Sequence, residues 1–251
     1  MKGKVYIVGA GPGDAGLFTL KALDLIKSAD IVLYDRLVSD DILKMIPSNI
    51  EKVYVGRNVG DDYSHQDETN KLMISHARDG KKVVRLKGGD PFIFGRGGEE
   101  AEFLRENGVE FEIVPGISSA TASPAYAGIP LTHRLFSSSV AIVTGHEDAK
   151  KEELTVRWKE LANAVDTIVV LMGMGRLKQI ANDLVSAGMS KDTDVAIIES
   201  GTTKDQKILL GNLSNIVDKV KSSDIKPPAI IVIGKVASLA EKLDWLGAKN
   251  A

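Results

Sequence analysis

Cysteine is absent from the 251 residues, which removes disulfide frameworks, thiolate nucleophiles and cysteine-bound zinc together. The same absence suits a reducing compartment. The polar start Met1-Lys2-Gly3-Lys4 lacks the apolar stretch of a secretory leader, so a cytoplasmic protein is expected. Long apolar runs are missing too. The longest, such as Ile168 to Met172 and Ala229 to Ile233, reach five residues, far short of the ~20 that a membrane-spanning helix needs. No sign of charge dominates: 32 Lys and Arg stand against 34 Asp and Glu, a formal net charge of −2, and no block of like charges stands out. An overall electrostatic grip on nucleic acid or on an anionic membrane is therefore not expected. The four histidines, 65, 76, 133 and 146, are scattered and form no ligand cluster, so no metal is expected. A chain of this length makes one large or two modest domains and can bury a sizeable core without covalent staples.

What the chain has in excess is glycine in two places. Nine of its 24 glycines fall within Gly9–Gly16 and Gly88–Gly98. Around them, short β-rich runs alternate with helical patterns. Strands are expected at Lys4–Val8, Ile31–Tyr34, Val53–Val55, Lys82–Leu86 and Phe111–Val114, with helices near Leu17–Lys27, Asp67–Asp79 and Glu99–Glu106. A second series places strands near Ser139–Thr144, Thr167–Leu171, Asp194–Glu199, Lys207–Leu210 and Ala229–Ile233. Helices near Leu154–Ala162, Leu177–Ala187, Ser214–Lys221 and Ala237–Leu246 fall between or after them. This alternation predicts an α/β fold of two domains with mostly parallel or mixed sheets. The turn-rich segment from Gly128 to Ser139 sets the expected boundary, with one domain over 1–134 and the other over 135–251.

The first glycine segment, Gly9-Ala-Gly-Pro-Gly-Asp14, leads from a strand into a helix and invites a dinucleotide reading, with Asp35 at the end of the next strand. The fingerprint G-x-G-x-x-G, however, needs glycine where this chain has Asp14. A carboxylate at a helix start suits the helix dipole but repels a pyrophosphate. A cationic or zwitterionic ligand fits better, and a tight turn without a ligand is the other reading. In the second segment, Lys87-Gly-Gly-Asp-Pro-Phe-Ile-Phe-Gly-Arg-Gly-Gly-Glu-Glu100, adjacent glycines at a strand end allow close ligand approach. There Asp90 can accept from a hydroxyl or an amino group and Ile93 can pack on a base. Both segments belong on one rim, beyond the strand C-termini. Ser118 and Ser119 either line that rim or merely cap a helix.

Gly9-Ala-Gly-Pro-Gly-Asp14, Tyr34-Asp-Arg-Leu-Val-Ser39, the segment Arg85 to Glu100, Val114-Pro-Gly-Ile117, Tyr126 to Arg134 and Val143-Thr-Gly-His146 together resemble the uroporphyrinogen-III C-methyltransferases of the tetrapyrrole methyltransferase superfamily. The likeness runs on through Met172-Gly173, Glu199-Ser-Gly-Thr202 and Pro228-Ala-Ile230. It implies S-adenosylmethionine as cofactor, S-adenosylhomocysteine as product, and methylation of uroporphyrinogen III at C2 and C7 to precorrin-1 and precorrin-2 for sirohaem and corrinoid synthesis. It also implies a homodimer with the cofactor in a cleft between two α/β domains. Carried over residue by residue, cofactor contacts fall on Pro12, Gly88, Gly89, Asp90, Ile93, Ser118, Ser119, Met172, Gly201 and Ala229. The catalytic positions fall on Asp35, as proton acceptor, and Arg57. Arginine at 57 departs from the family's usual lysine donor, and with a pKa of roughly 12.5 or more it reads as a carboxylate clamp. Arg36, Arg96 and Arg134 are the further candidates for the substrate's carboxylates.

The chemistry agrees with the inventory. A reduced pyrrole carbon is nucleophilic and a sulfonium methyl is activated, so alignment matters more than a covalent intermediate. A base is wanted for the departing proton, and Asp35 at a strand end is placed for it; an exposed loop aspartate or a helix cap is the alternative. Two further readings stay open: another precorrin or tetrapyrrole methyltransferase, and a non-catalytic sensor of the cofactor, which the change at Arg57 favours.

Overall fold

The computed structural model describes residues 3–56, 64–146 and 156–247, with residues 64–67 described by their backbone alone. The chain divides into two units, Met1–Ser118 and Ser119–Ala251. The division falls earlier than the 134/135 boundary expected from turn chemistry. The reason is apolar burial: Ala120, Ala127 and Ile129 are packed in one core with Val169, Ile198 and Val232 of the second unit. The turn-rich stretch that follows is an internal connection, closed by paired hydrogen bonds between His133 and Ser137.

In the first unit, β1 (Lys4–Gly9), β2 (Ile31–Tyr34), β3 (Glu51–Tyr54), β4 (Lys82–Lys87) and β5 (Glu110–Val114) form a sheet of order β3-β2-β4-β1-β5 in which every pairing is parallel. Helices α1 (Leu20–Lys27), α2 (Asp40–Lys44), α3 (Ser64–Arg78) and α4 (Gly97–Glu106) connect the strands. Strand alternation sends Val8, Val32, Val84 and Leu86 into a core with Ala22, Leu25 and Ile26 of α1 and Ile42 of α2. It sends Val5, Ile7, Ile31, Leu33 and Val83 into a second core with Met73 of α3 and Leu104 of α4. Both faces are thus covered, as a parallel sheet requires.

The first helix starts later than expected, and its buried face is not the Leu17, Leu20, Leu23 and Ile26 spacing that the sequence offers. Thr19 Oγ1 accepts from the Ala22 N–H at 3.1 Å, so the helix begins at Leu20, and a short 3-10 turn occupies Ala15–Leu17. The buried stripe becomes Ala22, Leu25 and Ile26, leaving Leu20 82% exposed.

In the second unit, α5 (Ser119–Tyr126) precedes β6 (Val140–Thr144), α6 (Trp158–Ala164), β7 (Thr167–Leu171), α7 (Leu177–Ser186), β8 (Asp194–Glu199), β9 (Lys207–Asn212), α8 (Ile216–Ser222) and β10 (Ala229–Ile233). The sheet order is β6-β7-β10-β8-β9; β6 and β7 are parallel, and the remaining pairings are antiparallel. The helix expected at Ala237–Leu246 is reduced to a 3-10 segment, Lys235–Leu239. Beyond it, Leu243 N–H still donates to the Leu239 carbonyl at 2.9 Å, and the chain is also held by α5: Trp245 Nε1 donates to the Ala125 carbonyl at 3.0 Å, and its ring meets Tyr126 edge-on. No helix among the described residues is long and apolar enough to cross a membrane.

The edge strand β5 is tied down by charge. Glu112 accepts from Lys4 of β1 at 2.6 Å and pairs with Lys21 of α1. The hydrogen bonds from Lys21 and then Lys4 hold its carboxyl at about 2. A depressed carboxyl pKa stabilises the fold above its unfolded value and loses that effect as pH falls through the folded value. Glu112→Gln is therefore expected to cost under about 1 kcal/mol at pH 7, the cost shrinking as pH falls from 4.5 toward 2. Urea unfolding followed by circular dichroism at pH 7 and pH 3 measures it; a cost that grows on acidification would contradict the assignment.

Candidate active site

In the first unit the loops leaving β1, β2, β4 and β5 emerge at the C-terminal edge of the parallel sheet. The order places β1 between β4 and β5: the crossover from β1 runs to β2 on one side, and that from the adjacent β4 runs past β1 to β5 on the other. Connections from these two neighbouring strands thus leave in opposite directions, the arrangement that opens a binding crevice. The two glycine segments meet here. Gly11 and Gly89 exchange backbone hydrogen bonds of 3.1 and 2.7 Å, and Ala10 N–H donates to the Lys87 carbonyl at 2.7 Å. A Cβ on Gly116 would lie 2.3 Å from the Gly89 carbonyl oxygen, and a Cβ on Gly88 would lie 2.5 Å from Leu37 Cβ. The glycines at these positions let three loops pack backbone on backbone. At Gly98, in the first turn of α4, an added Cβ meets nothing within 4 Å.

The carboxylates of the rim are held by backbone donors. Asp14 accepts from Gly16 N–H at 2.7 Å and caps the 3-10 turn, so an aspartate takes the helix-start donor that a pyrophosphate would use. Asp90 joins two loops, its Oδ1 accepting from Phe92 N–H at 2.8 Å and its Oδ2 from Gly116 N–H at 3.0 Å. After it, Phe92, Ile93 and Phe94 are all exposed, Phe92 by 56%. Pro12, Gly88, Gly89, Asp90, Ile93, Asp35, Arg36 and Arg96 thus share the C-terminal edge of this sheet; Arg36 is exposed, and Arg96 Nε stands 3.7 Å from Glu99. Arg57 lies outside the described residues, and nothing of the His65 side chain is described.

Asp35, directly after β2, has a side chain 23% exposed. Its Oδ1 accepts from Leu37 N–H at 3.1 Å and from Gly88 N–H at 3.3 Å, and its Oδ2 lies 3.8 Å from Arg85 Nη2. Beneath it is a charged set that sequence reading missed. Glu100 Oε1 accepts from Arg85 Nε at 3.1 Å and from Lys87 Nζ at 3.0 Å, and all three side chains are buried. Burial, reinforced by the Arg85 charge, pushes the Lys87 amine below its ordinary value, with Glu100 and Asp35 pulling the other way. Burial by itself would raise the Glu100 carboxyl, but the neighbouring Arg85 and Lys87 charges outweigh it and hold the group below its ordinary value. The available signal was spacing: Val83, Arg85 and Lys87 alternate onto one strand face, and two of the three are cations.

The second unit has a rim of its own. Ile230 pairs with Leu171 and Ala229 with Glu199, so Met172, the Ser200–Thr202 turn and Ala229 lie along one edge of that sheet. A Cβ on Gly201 would sit 2.3 Å from Ser123 Oγ, which brings this turn against α5. Ser119 is the first residue of α5, with Ser118 just before it in the N-cap position; the adjacent Ala120 is buried in one core with Leu171 and Ile230. Arg134 is exposed in the connection that follows α5.

Backbone strain marks the same places. Among the described residues, the non-glycine positions with left-handed φ are Phe94 (52°), Arg96 (60°), Met172 (55°), Ser200 (48°) and Thr202 (70°), all on these two rims. Each such residue costs of order 1 kcal/mol or more and concentrates at ligand-handling loops.

The sequence pattern of the Tetrapyrrole (Corrin/Porphyrin) Methylases matches residues 4–217. The chain belongs to that family. This tetrapyrrole methylase is 50% identical over 241 residues to the S-adenosyl-L-methionine-dependent uroporphyrinogen III methyltransferase of Methanosarcina barkeri, a match covering 96% of this chain and 94% of the relative. It is 50% identical over 247 residues to a siroheme synthase of Pseudoalteromonas atlantica, covering 98% of this chain but 53% of that protein; the chain spans about half the length of the siroheme synthases it matches. Among solved structures, the uroporphyrin-III C-methyl transferase of Thermus thermophilus complexed with S-adenyl homocysteine superposes with a TM-score of 0.81 at 41% identity, covering 94% of this chain and 99% of that one.

Proposed function

We propose that this tetrapyrrole methylase transfers methyl groups from S-adenosylmethionine to C2 and C7 of uroporphyrinogen III, giving precorrin-1 and then precorrin-2 for sirohaem and corrinoid synthesis. The observation that carries the reading is the Asp35 carboxylate, anchored at the C-terminal edge of the first sheet, in a chain half identical over nearly its whole length to a relative named for this reaction. The rim suits a zwitterionic, cationic cofactor. Asp14, Asp35 and Asp90 set carboxylates at three loop ends, and the exposed Ile93 offers an apolar surface for a base. On the second rim, the strained turns at Met172 and Gly201, with Ser119 and Ala229, are the proposed remaining contacts.

The cofactor supplies a methyl group on a positively charged sulfur, already activated toward a carbon nucleophile. The chain's own part is alignment and proton handling. As the new C–C bond forms and the S–CH₃ bond breaks, the pyrrolic system gains positive charge, and losing a proton neutralises it. Asp35 takes that proton through Oδ2, since Oδ1 is occupied by two backbone N–H groups. Arg36, Arg57, Arg96 and Arg134 are proposed to bind substrate carboxylates, the planar guanidinium matching them in pairs. A homodimer in the cytoplasm completes the proposal.

Anaerobic incubation with uroporphyrinogen III and isotopically labelled S-adenosylmethionine, read by mass, is expected to give a doubly methylated product. Absence of label in the tetrapyrrole would overturn the assignment. Binding of S-adenosylhomocysteine without transfer would instead make the chain a sensor. In a parallel titration, S-adenosylhomocysteine is expected to bind and NADH is not, because the Asp14 carboxylate occupies the helix start.

A further inference from the structure

The charged set beneath Asp35 is not explained by stability. Continuing the face that Val83 shares with the α3 and α4 core, two cations take the place of apolar side chains, and Glu100 of α4 is fully buried against them. Replacing such a set by well-packed apolar residues is often neutral or stabilising, whereas removing one member strands a charge. The geometry instead forms a chain of contacts leading to the rim. Glu100 Oε1 grips the Nε edge of Arg85 at 3.1 Å, Nη1 donates to the Leu86 carbonyl at 3.1 Å, and Nη2 is left facing Asp35 Oδ2 at 3.8 Å. That distance exceeds a hydrogen bond, so Arg85 orients the carboxylate without forming the direct paired contact of an arginine clamp.

We propose that Glu100 is a positioning residue for Asp35, acting through Arg85. By holding the guanidinium on its far edge, Glu100 keeps Nη2 facing Asp35 Oδ2 at 3.8 Å instead of paired directly with it. The inference rests on the reading of Asp35 as proton acceptor. Charge supports it. Among the described residues, the charges acting on Lys87 include Arg85, Glu100 and Asp35, and those acting on Glu100 include Arg85 and Lys87. Without the Glu100 charge, Asp35 is the carboxylate left near Arg85 among the described residues. Closer approach of the guanidinium and loss of a nearby negative charge both favour ionised Asp35, making it a weaker base.

The test is the pH profile of kcat for Glu100→Gln. The acid limb is expected to move down by about one pH unit, and kcat at neutral pH to fall about tenfold. KM for uroporphyrinogen III and affinity for S-adenosylhomocysteine should stay within about twofold of wild type. Because Glu100→Gln leaves two cations in the core, a second variant, Glu100→Gln/Lys87→Met, restores neutrality with Arg85 against Asp35. It is expected to fold and to show the same displaced limb. A folded variant that keeps the wild-type limb and kcat overturns the proposal. So does one that loses kcat and cofactor affinity together with the limb unmoved, since that reports a purely structural role. Asp35→Asn measured alongside separates the two readings: wild-type turnover there removes the base itself, whereas slow turnover with a silent Glu100→Gln removes only the positioning role.

Discussion

Asp35→Asn is expected to slow methyl transfer by about a hundredfold or more while leaving S-adenosylhomocysteine binding near wild type. The asparagine carbonyl can still accept from Leu37 and Gly88 N–H, so the turn after β2 keeps its anchors. What disappears is the proton acceptor at Oδ2 and one negative charge 3.8 Å from Arg85. Since Glu100 still grips Arg85 and Lys87, the unbalanced charge is one unit at a partly exposed edge, and folding should survive. Single-turnover methylation with saturating cofactor isolates the chemical step, and a calorimetric titration checks binding. Turnover near wild type would remove the base role from Asp35 and leave alignment alone to account for the rate.

Gly116→Ala is expected to destabilise the first unit by about 3 kcal/mol and to abolish cofactor binding. The added carbon would sit 2.3 Å from the Gly89 carbonyl oxygen and 2.8 Å from Gly9 Cα, all backbone atoms that cannot swing away. Separating these loops also pulls Gly116 N–H off Asp90 Oδ2. Gly98→Ala is the matched control. It lies in the first turn of α4 with open space around the new carbon, so it should be neutral or stabilise by up to about 1 kcal/mol. Both tryptophans, Trp158 and Trp245, lie in the second unit, so tryptophan fluorescence has no reporter within the first. Hydrogen exchange at the β1 and β4 amides reads it directly. Equal protection in the two variants would show that the loops tolerate separation.

Several strands were legible to the residue. Ile31–Tyr34, Thr167–Leu171, Asp194–Glu199 and Ala229–Ile233 are short β-branched runs closed by turn residues, and local pattern is enough to define them. Helix α2 was not, because five residues, Asp40–Lys44, are too few to show a period. The start of α1 at Leu20 depended on one hydroxyl, that of Thr19. At the site, the two glycine segments at strand ends were legible because glycine clustering is a local signal. The Arg85, Lys87 and Glu100 set joins a strand to a helix, and its pairing is created only when α4 folds back over β4. In the turns at Met172 and at Ser200–Thr202 the left-handed φ falls on Met172, Ser200 and Thr202 and not on the neighbouring Gly173 and Gly201, so the glycines announce the turns without telling which residues are strained.

The position of β1 sets a timetable for synthesis. This first strand pairs on one side with β4 and on the other with β5, so both of its partners lie about 80 to 110 residues further along the chain. At ribosomal speeds of ~5–20 residues per second, Val5, Ile7 and Val8 wait for several seconds or longer with neither neighbour available. During that interval the nascent chain presents an apolar, unpaired strand. Until Glu110–Val114 has been made, Lys4–Gly9 lacks at least one of its two strand neighbours, and the apolar side chains of both its faces lack the cover of a completed sheet.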